Sequence, residues 1–305
     1  MKREVTDVGL EQLESITKKI KSSNTTNIRT VNINVKGEDF ETKTNSFYIA
    51  TQMVRRLVSI FEIMKEEVDC NLKVSNDGLD MFTLYSDKTV AIFVHFDRDI
   101  FSEFDVRGEA PVVMCLNLSV LAKKLTVLQK FKPQKISLSI CDHKLNLAGY
   151  NDEGNCGTVS LDSISTLIDD LDTENFQYQV LIALSSARLQ KSLDCMPAIF
   201  SIHMDCTNNN IRFEGKEEMS KTTLCIPLGG DVIDEVKKHP SIASYSGVFH
   251  KLYLAPLIKS CKLSKYVTIG LHQEAPLFCR ITIVDSIGTE DDSSVSMYFA
   301  PRFGD

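Results

Sequence analysis

The residues of this chain best equipped for chemistry are few. In "VHFDRD", His95, Asp97 and Asp99 recur at every second position. On an extended strand that period would set three ligands on one face. Such a set could hold a divalent cation and activate water, so a metal-dependent nuclease or phosphatase is one reading. Alternating polar residues more often mark the solvent face of a half-buried strand, and the expectation here is no metal site. His203 and Cys206 in "HMDC" alternate onto opposite faces and read as core. The nine cysteines are odd in number and widely spaced, with no C-x-x-C pair. That usage predicts reduced thiols buried as small hydrophobes in a cytosolic or nuclear protein, and no structural zinc. The sequence contains no G-x-x-x-x-G-K-[ST], G-x-G-x-x-G or G-x-S-x-G. Phosphate-loop, dinucleotide and hydrolase chemistry therefore have no support, and neither a catalytic residue nor a cofactor is expected.

The second chemistry is electrostatic. The stretch "LNLSVLAKKLTVLQKFK" carries four lysines and no carboxylate in a chain of net charge -7. Four segments predicted helical, Thr51 to Phe61, Asn117 to Lys132, Ser186 to Leu193 and Ala255 to Lys265, share this character. They hold Arg55, Arg56, Lys123, Lys124, Lys130, Lys132, Arg188, Lys191, Lys259, Lys262 and Lys265, and no acid, while Glu62, Glu66 and Asp194 flank them. The rest of the chain keeps 23 basic residues against 41 acidic ones. Leu118, Leu121, Leu125 and Leu128 form one helical stripe, which leaves Lys123 and Lys130 on another face, and Arg55 and Arg56 are expected to face out opposite Leu57 and Phe61. Lys123 and Lys124 lack a glutamate at i±4, so a salt-bridge-laced solvated helix fits poorly. Cations with no groove-reading side chains among them imply sequence-independent contact with the phosphates of duplex DNA.

The elements that must position these residues form a repeat. At 305 residues and 43% hydrophobic content, the chain is long enough for two domains. No apolar run approaches the roughly 20 residues of a membrane span, so a soluble, non-secreted protein is expected. Residues 1–45 are polar, with a short amphipathic helix through Leu10, Leu13, Ile16 and Ile20 and a strand at "VNINV". From Ser46 the order strand, helix, hairpin, helix, strands occurs twice, with Asn76-Asp77-Gly78 and Asn208 to Asn210 at the hairpin turns. The fold class expected is α+β: two repeated domains of antiparallel sheet, at 46–158 and 178–305, with helices on one face. Between them lies an acidic connector, 159–177, which reads as a solvated linker or as part of a hydrophobic docking groove.

Three stretches, "MVRRLVSIF", "LNLSVLAKKL" and "SMYFAPRF", together with "CTNNNIRFEG" and "APLFCRITI", resemble in order the DNA sliding clamps of the proliferating cell nuclear antigen family, eukaryotic or viral, over Ser46 to Phe303. The resemblance implies a DNA clamp fold, oligomerising to a ring of three subunits with helices inside, threaded by duplex DNA. It implies a polymerase processivity factor, a nuclear homotrimer (or one acting at a viral replication site). Polymerases and other replication or repair proteins would dock through short peptide motifs, and a clamp loader would act on it. A subunit of a heterotrimeric checkpoint clamp is the alternative. Carried over to this sequence, Arg55, Arg56, Lys123, Lys124, Lys130, Arg188, Lys191, Lys259 and Lys262 would face DNA. Leu84, Leu167, Ile168, Leu171, Pro276, Tyr298 and Pro301 would form the partner pocket. Ring closure would pair "KLNLAGY", with Leu145, Leu147 and Tyr150, against "SKTTLCI", with Thr222, Leu224 and Ile226. The 45-residue extension, the connector sequence and the short tail depart from the family pattern.

Overall fold

A computed structural model describes residues 46–302 apart from 65–68, 109–110, 142–143, 165–166, 170, 172, 174–175, 177, 179, 206–209, 229–235, 239–243, 274 and 284–292. The helix and strand expected in the first 45 residues lie outside the described residues, as do Asn208, Asn209 and Phe303.

In the first half, β1 (Ser46–Thr51) leads to α1 (Val54–Met64), β2 (Asp69–Val74), β3 (Gly78–Leu84), β4 (Val90–Asp97), β5 (Glu103–Arg107), β6 (Val112–Asn117), α2 (Leu118–Gln129), β7 (Lys135–Cys141), β8 (Lys144–Asn151) and β9 (Gly154–Asp162). The second half runs β10 (Val180–Ser185), α3 (Ser186–Asp194), β11 (Ile199–Asp205), β12 (Asn210–Lys216), β13 (Lys221–Pro227), β14 (Val236–Lys238), β15 (Ser244–His250), α4 (Ala255–Ser260), β16 (Tyr266–Leu271), β17 (Leu277–Thr282) and β18 (Ser294–Phe299).

Pairing among the described strands is antiparallel throughout and repeats between halves. The first half supplies the orders β5-β1-β7-β8-β9 and β4-β3-β2-β6; the second supplies β14-β10-β16-β17-β18 and β13-β12-β11-β15. The two halves are joined edge to edge where β18 pairs with β4, from Ser294 opposite His95 to Phe299 opposite Val90, which makes one nine-stranded sheet. The sheet-rich α+β class read from the sequence is therefore the observed one.

Local chemistry explains the boundaries. The Thr51 hydroxyl accepts from Met53 N–H at 3.0 Å, turning the chain from β1 into α1, so that helix begins at Val54 rather than Thr51. Asn117 caps α2 by accepting from Val120 N–H at 2.9 Å, which satisfies a donor that the first helical turn leaves orphaned. The same helix stops where Lys132 takes a left-handed φ of 50° ahead of Pro133, a residue that cannot continue it. Gly78 has φ +156°, and a Cβ there would stand 2.1 Å from the Phe96 carbonyl oxygen, so this hairpin turn requires glycine. The helix expected from Ala255 is only six residues long and ends at Ser260.

One core cluster takes Ile49, Leu72, Val94, Leu138, Ile182 and Val295 from the strands and Leu57, Phe61, Leu121, Leu125, Leu189 and Leu257 from the helices. The helices lie side by side in the order α2, α1, α4, α3. No helix among the described residues is long and apolar enough to cross a membrane.

Candidate nucleic-acid interface and docking surface

The helix layer brings most of the predicted cations together. Leu118, Leu121, Ala122, Leu125 and Leu128 are buried on α2 while Lys123, Lys124 and Lys130 are exposed. Arg55 on α1, Lys191 on α3 and Lys262 just beyond α4 are also exposed. None of these six makes an ion pair with a described residue. Lys130, Lys132, Lys262 and Lys265 follow their helices instead of lying on them. Arg188 and Lys259 are half-buried. Arg56 departs from its expected outward role: its guanidinium donates to the Ile283 carbonyl oxygen, a long-range bond between α1 and the residue after β17. It serves as a staple in the fold before it can serve a ligand.

The other face of the nine-stranded sheet carries an aromatic stripe under the connector. Leu84 pairs with Ala91, Ala91 with Tyr298, and Tyr298 with Phe278, so Leu84 and Tyr298 of the predicted pocket share one cross-strand row. Ring centroids step along it at 4.5 Å from Phe82 to Phe93, 5.6 Å to Tyr298, 5.2 Å to Phe278 and 5.1 Å to Tyr178. Burial raises the Tyr298 phenol's pKa, with Thr173 and Arg280 opposing, and burial drives that of Tyr178 up strongly. Both phenols are therefore neutral. Pro276 and Pro301 sit just outside the ends of β17 and β18. Sequence reasoning missed Phe82, Phe93, Phe176, Tyr178 and Phe278. For Phe82, Phe93 and Phe278 the alternation along β3, β4 and β17 was the available signal.

The connector is tied down at described points. Val159 to Asp162 continue β9, so the strand takes the first residues assigned to the connector. Ile164 N–H donates to the Cys115 carbonyl at 2.7 Å. Asn71, 8% exposed, then grips the Ile168 backbone twice, donating to its carbonyl at 2.6 Å and accepting from its N–H at 3.0 Å. Leu167 is exposed, and Ile168 and Leu171 are half-buried. This gripped segment is more than a solvated linker.

The metal reading loses its geometry. Asp80 Oδ1 lies 2.6 Å from His95 Nδ1. Asp97 accepts from Asp99 N–H at 2.8 Å, and Asp99 belongs to the 3-10 turn Arg98–Ile100. Because the strand ends at Asp97, the three side chains do not share a strand face. No group of three or more His, Cys, Asp or Glu side chains among the described residues could hold a metal. His203 is half-buried beside Glu214 at 3.9 Å; burial and then Arg212 lower its pKa. Cys206 lies outside the described residues. Cys70, Cys115, Cys261 and Cys279 are buried free thiols as expected, whereas Cys195 and Cys225 are exposed. Burial pushes the Cys261 thiol up to about 12 and raises the other three, so these buried thiols are protonated and inert.

The expected ring-closing strand needs a larger correction. The β8 strand, with Leu145, Leu147 and Tyr150, is hydrogen-bonded to β7 on one side and β9 on the other. Leu145 and Leu147 are 0% exposed. An interior strand has no edge to offer, and the terminal strand on that side of the sheet is β9. Its partner expectation stands differently, since β13, with Thr222, Leu224 and Ile226, is the terminal strand of its sheet. Beside β9, Phe131 is 53% and Val127 46% exposed, and Phe131 lies against Gly157.

A model of the family described as "Repair protein Rad1/Rec1/Rad17" matches residues 46–283. No curated protein matches the chain.

Proposed function

Because this chain belongs to the Rad1/Rec1/Rad17 repair-protein family, a family of PCNA-like DNA clamps, we propose that it is one subunit of a heterotrimeric checkpoint clamp. It is a non-catalytic clamp protein, and the fold agrees with that class. In this reading it closes a ring with two paralogous subunits. A homotrimer serving as a polymerase processivity factor is the weaker reading beside a repair-clamp match.

The observation that carries ring formation is the repeated pairing. Within the chain, β18 at the end of one sheet unit pairs with β4 at the end of another. By the same repeat, β9 is the counterpart of β18 and β13 the counterpart of β4. Both counterparts are left as sheet ends in the subunit. Strand addition takes place at the terminal strands of a sheet, and the pairing already used once internally supplies the geometry for β9 and β13 to meet equivalent strands of neighbours. Phe131 and Val127 add apolar surface beside that edge.

In such a ring, Arg55, Lys123, Lys124, Lys130, Lys191 and Lys262 contact duplex phosphates without reading sequence, and a nuclear site of action follows. The units 46–158 and 178–305 are its two clamp domains. A clamp loader opens the ring, and repair proteins dock on the outer sheet face around Leu84, Tyr298 and the connector. The test is assembly. The purified chain should run as a monomer and join a three-subunit complex with two paralogues, and Phe131→Glu should abolish joining while the monomer's unfolding temperature stays the same. A stable homotrimer from the chain alone would overturn the heterotrimer reading.

A further inference from the structure

The aromatic stripe on the nine-stranded sheet already has an occupant. Phe176, from the connector, sets its ring 5.9 Å from that of Tyr298 at a tilt of 40°. A turn in which Phe176 N–H donates to the Thr173 carbonyl at 3.1 Å holds it there. The Thr173 side chain is itself hydrogen-bonded to the Tyr298 hydroxyl. Upstream, Asn71 grips Ile168 at both its backbone groups. The connector thus enters from one anchor, crosses the sheet and lays an aromatic side chain beside the stripe of Phe93, Tyr298 and Phe278.

We propose that Phe176 is a built-in competitor for this stripe, and that an external partner docks by replacing the Phe176 ring with an aromatic side chain of its own. The partner's chemistry follows from its surroundings. The stripe offers offset and edge-on ring faces, which select aromatic side chains. The connector from 159 to 177 carries five carboxylates and no basic residue. A short peptide with a pair of aromatic residues flanked by lysine or arginine therefore fits both features. Asn71 is nearly buried, and its two bonds are to the backbone, so the anchor persists whichever side chain the connector presents. Only the Phe176 end need lift. The inference rests on the clamp-subunit reading for treating this face as a docking surface, and on the ring contacts for its self-occupancy.

The experiment measures binding of a fluorescein-labelled peptide, with two adjacent phenylalanines between lysines, to the full chain by fluorescence anisotropy. A ring contact of this kind holds the closed state by roughly tenfold. Phe176→Ala should therefore bind the peptide about tenfold tighter than wild type, by that same closing ratio. Thr173→Val, which leaves every ring in place and removes only the hydrogen bond to Tyr298, should give a smaller rise in the same direction. A control peptide with both phenylalanines replaced by alanine should bind neither protein. Equal or weaker binding by Phe176→Ala, or no binding by wild type and variants alike, would overturn the proposal. Assembly with the paralogous subunits, measured on the same preparations, separates that outcome from failure of the clamp reading. A cooperative unfolding transition within several degrees of wild type shows that the variants are folded, and if Phe176→Ala does not fold, the binding measured for Thr173→Val upholds or overturns the proposal in its place.

Discussion

Neutralising the exposed cations of the helix layer should change how DNA binding responds to salt. Arg55, Lys123 and Lys191 come from three different helices, are exposed, and have no ion pair with a described residue that would survive as a competing partner. Replacing all three by glutamine keeps helix propensity and a polar side chain while removing three charges. Each phosphate contact contributes about -0.9 to the slope of log affinity against log salt, so the triple variant should flatten that slope by about 2.7. Over a fourfold rise, from about 50 to 200 mM, wild type should then lose about 40-fold more affinity than the variant loses. The assay is fluorescence anisotropy of a duplex of roughly 30 base pairs, since contacts of this kind need length and not a particular sequence.

A matched control separates location from net charge. Lys73, Lys88 and Lys216 are also exposed but belong to β2, the β3–β4 turn and β12 and not to a helix. Their replacement by glutamine changes the protein's charge by the same amount and should leave the slope within about one unit of wild type. If the control flattens the slope as much as the helix variant does, the cations act through net charge alone. The interface assigned to the helix layer would then be wrong.

Two further perturbations test the fold beneath these surfaces. Tyr245 is 4% exposed, and its hydroxyl has no hydrogen-bond partner among the described residues; Tyr245→Phe should hold or raise stability by about 1 kcal/mol in chemical denaturation, and a loss of similar size would mean that the hydroxyl is satisfied. His203 has its pKa lowered in the fold, chiefly by burial, so the unfolded chain binds more protons as pH falls. Its contribution is present above about 6.5 and lost as pH drops through the depressed folded value; His203→Gln should reduce the loss of stability between neutral and mildly acidic pH by less than about 1 kcal/mol, and an identical pH profile would refute the assignment.

Much of the helix layer was legible in the sequence because helical period and charge are local. Leu118, Leu121, Leu125 and Leu128 are buried and Lys123 faces water, as a 3.6-residue repeat requires. Arg56 was misread for the same reason. Its neighbours in sequence place it at the edge of the apolar face, and only the tertiary fold delivers the Ile283 carbonyl to it. The metal reading failed at a strand end, where one residue's departure from the extended conformation removes Asp99 from the face shared by His95 and Asp97.

Strand order is the least local property of all, and the two misjudged features both depend on it. Lys144 to Tyr150 alternates as well as any edge strand, but a strand's own residues do not reveal whether one or both of its sides are paired. What decides the matter is that β9 follows immediately and pairs back along β8, which moves the end of the sheet one strand outward. The aromatic stripe was hidden likewise, because the pair Phe82 and Phe93 on β3–β4 and the pair Phe278 and Tyr298 on β17–β18 join into one row only when β18 pairs with β4. That single junction makes the sheet continuous from one half to the other. It creates the surface that Phe176 covers, and it provides inside one chain the pattern by which the ends at β9 and β13 can join others. A substitution that weakens the β18–β4 pairing should therefore disturb docking and assembly together, whereas replacing an exposed helix-layer cation such as Lys123 should disturb neither.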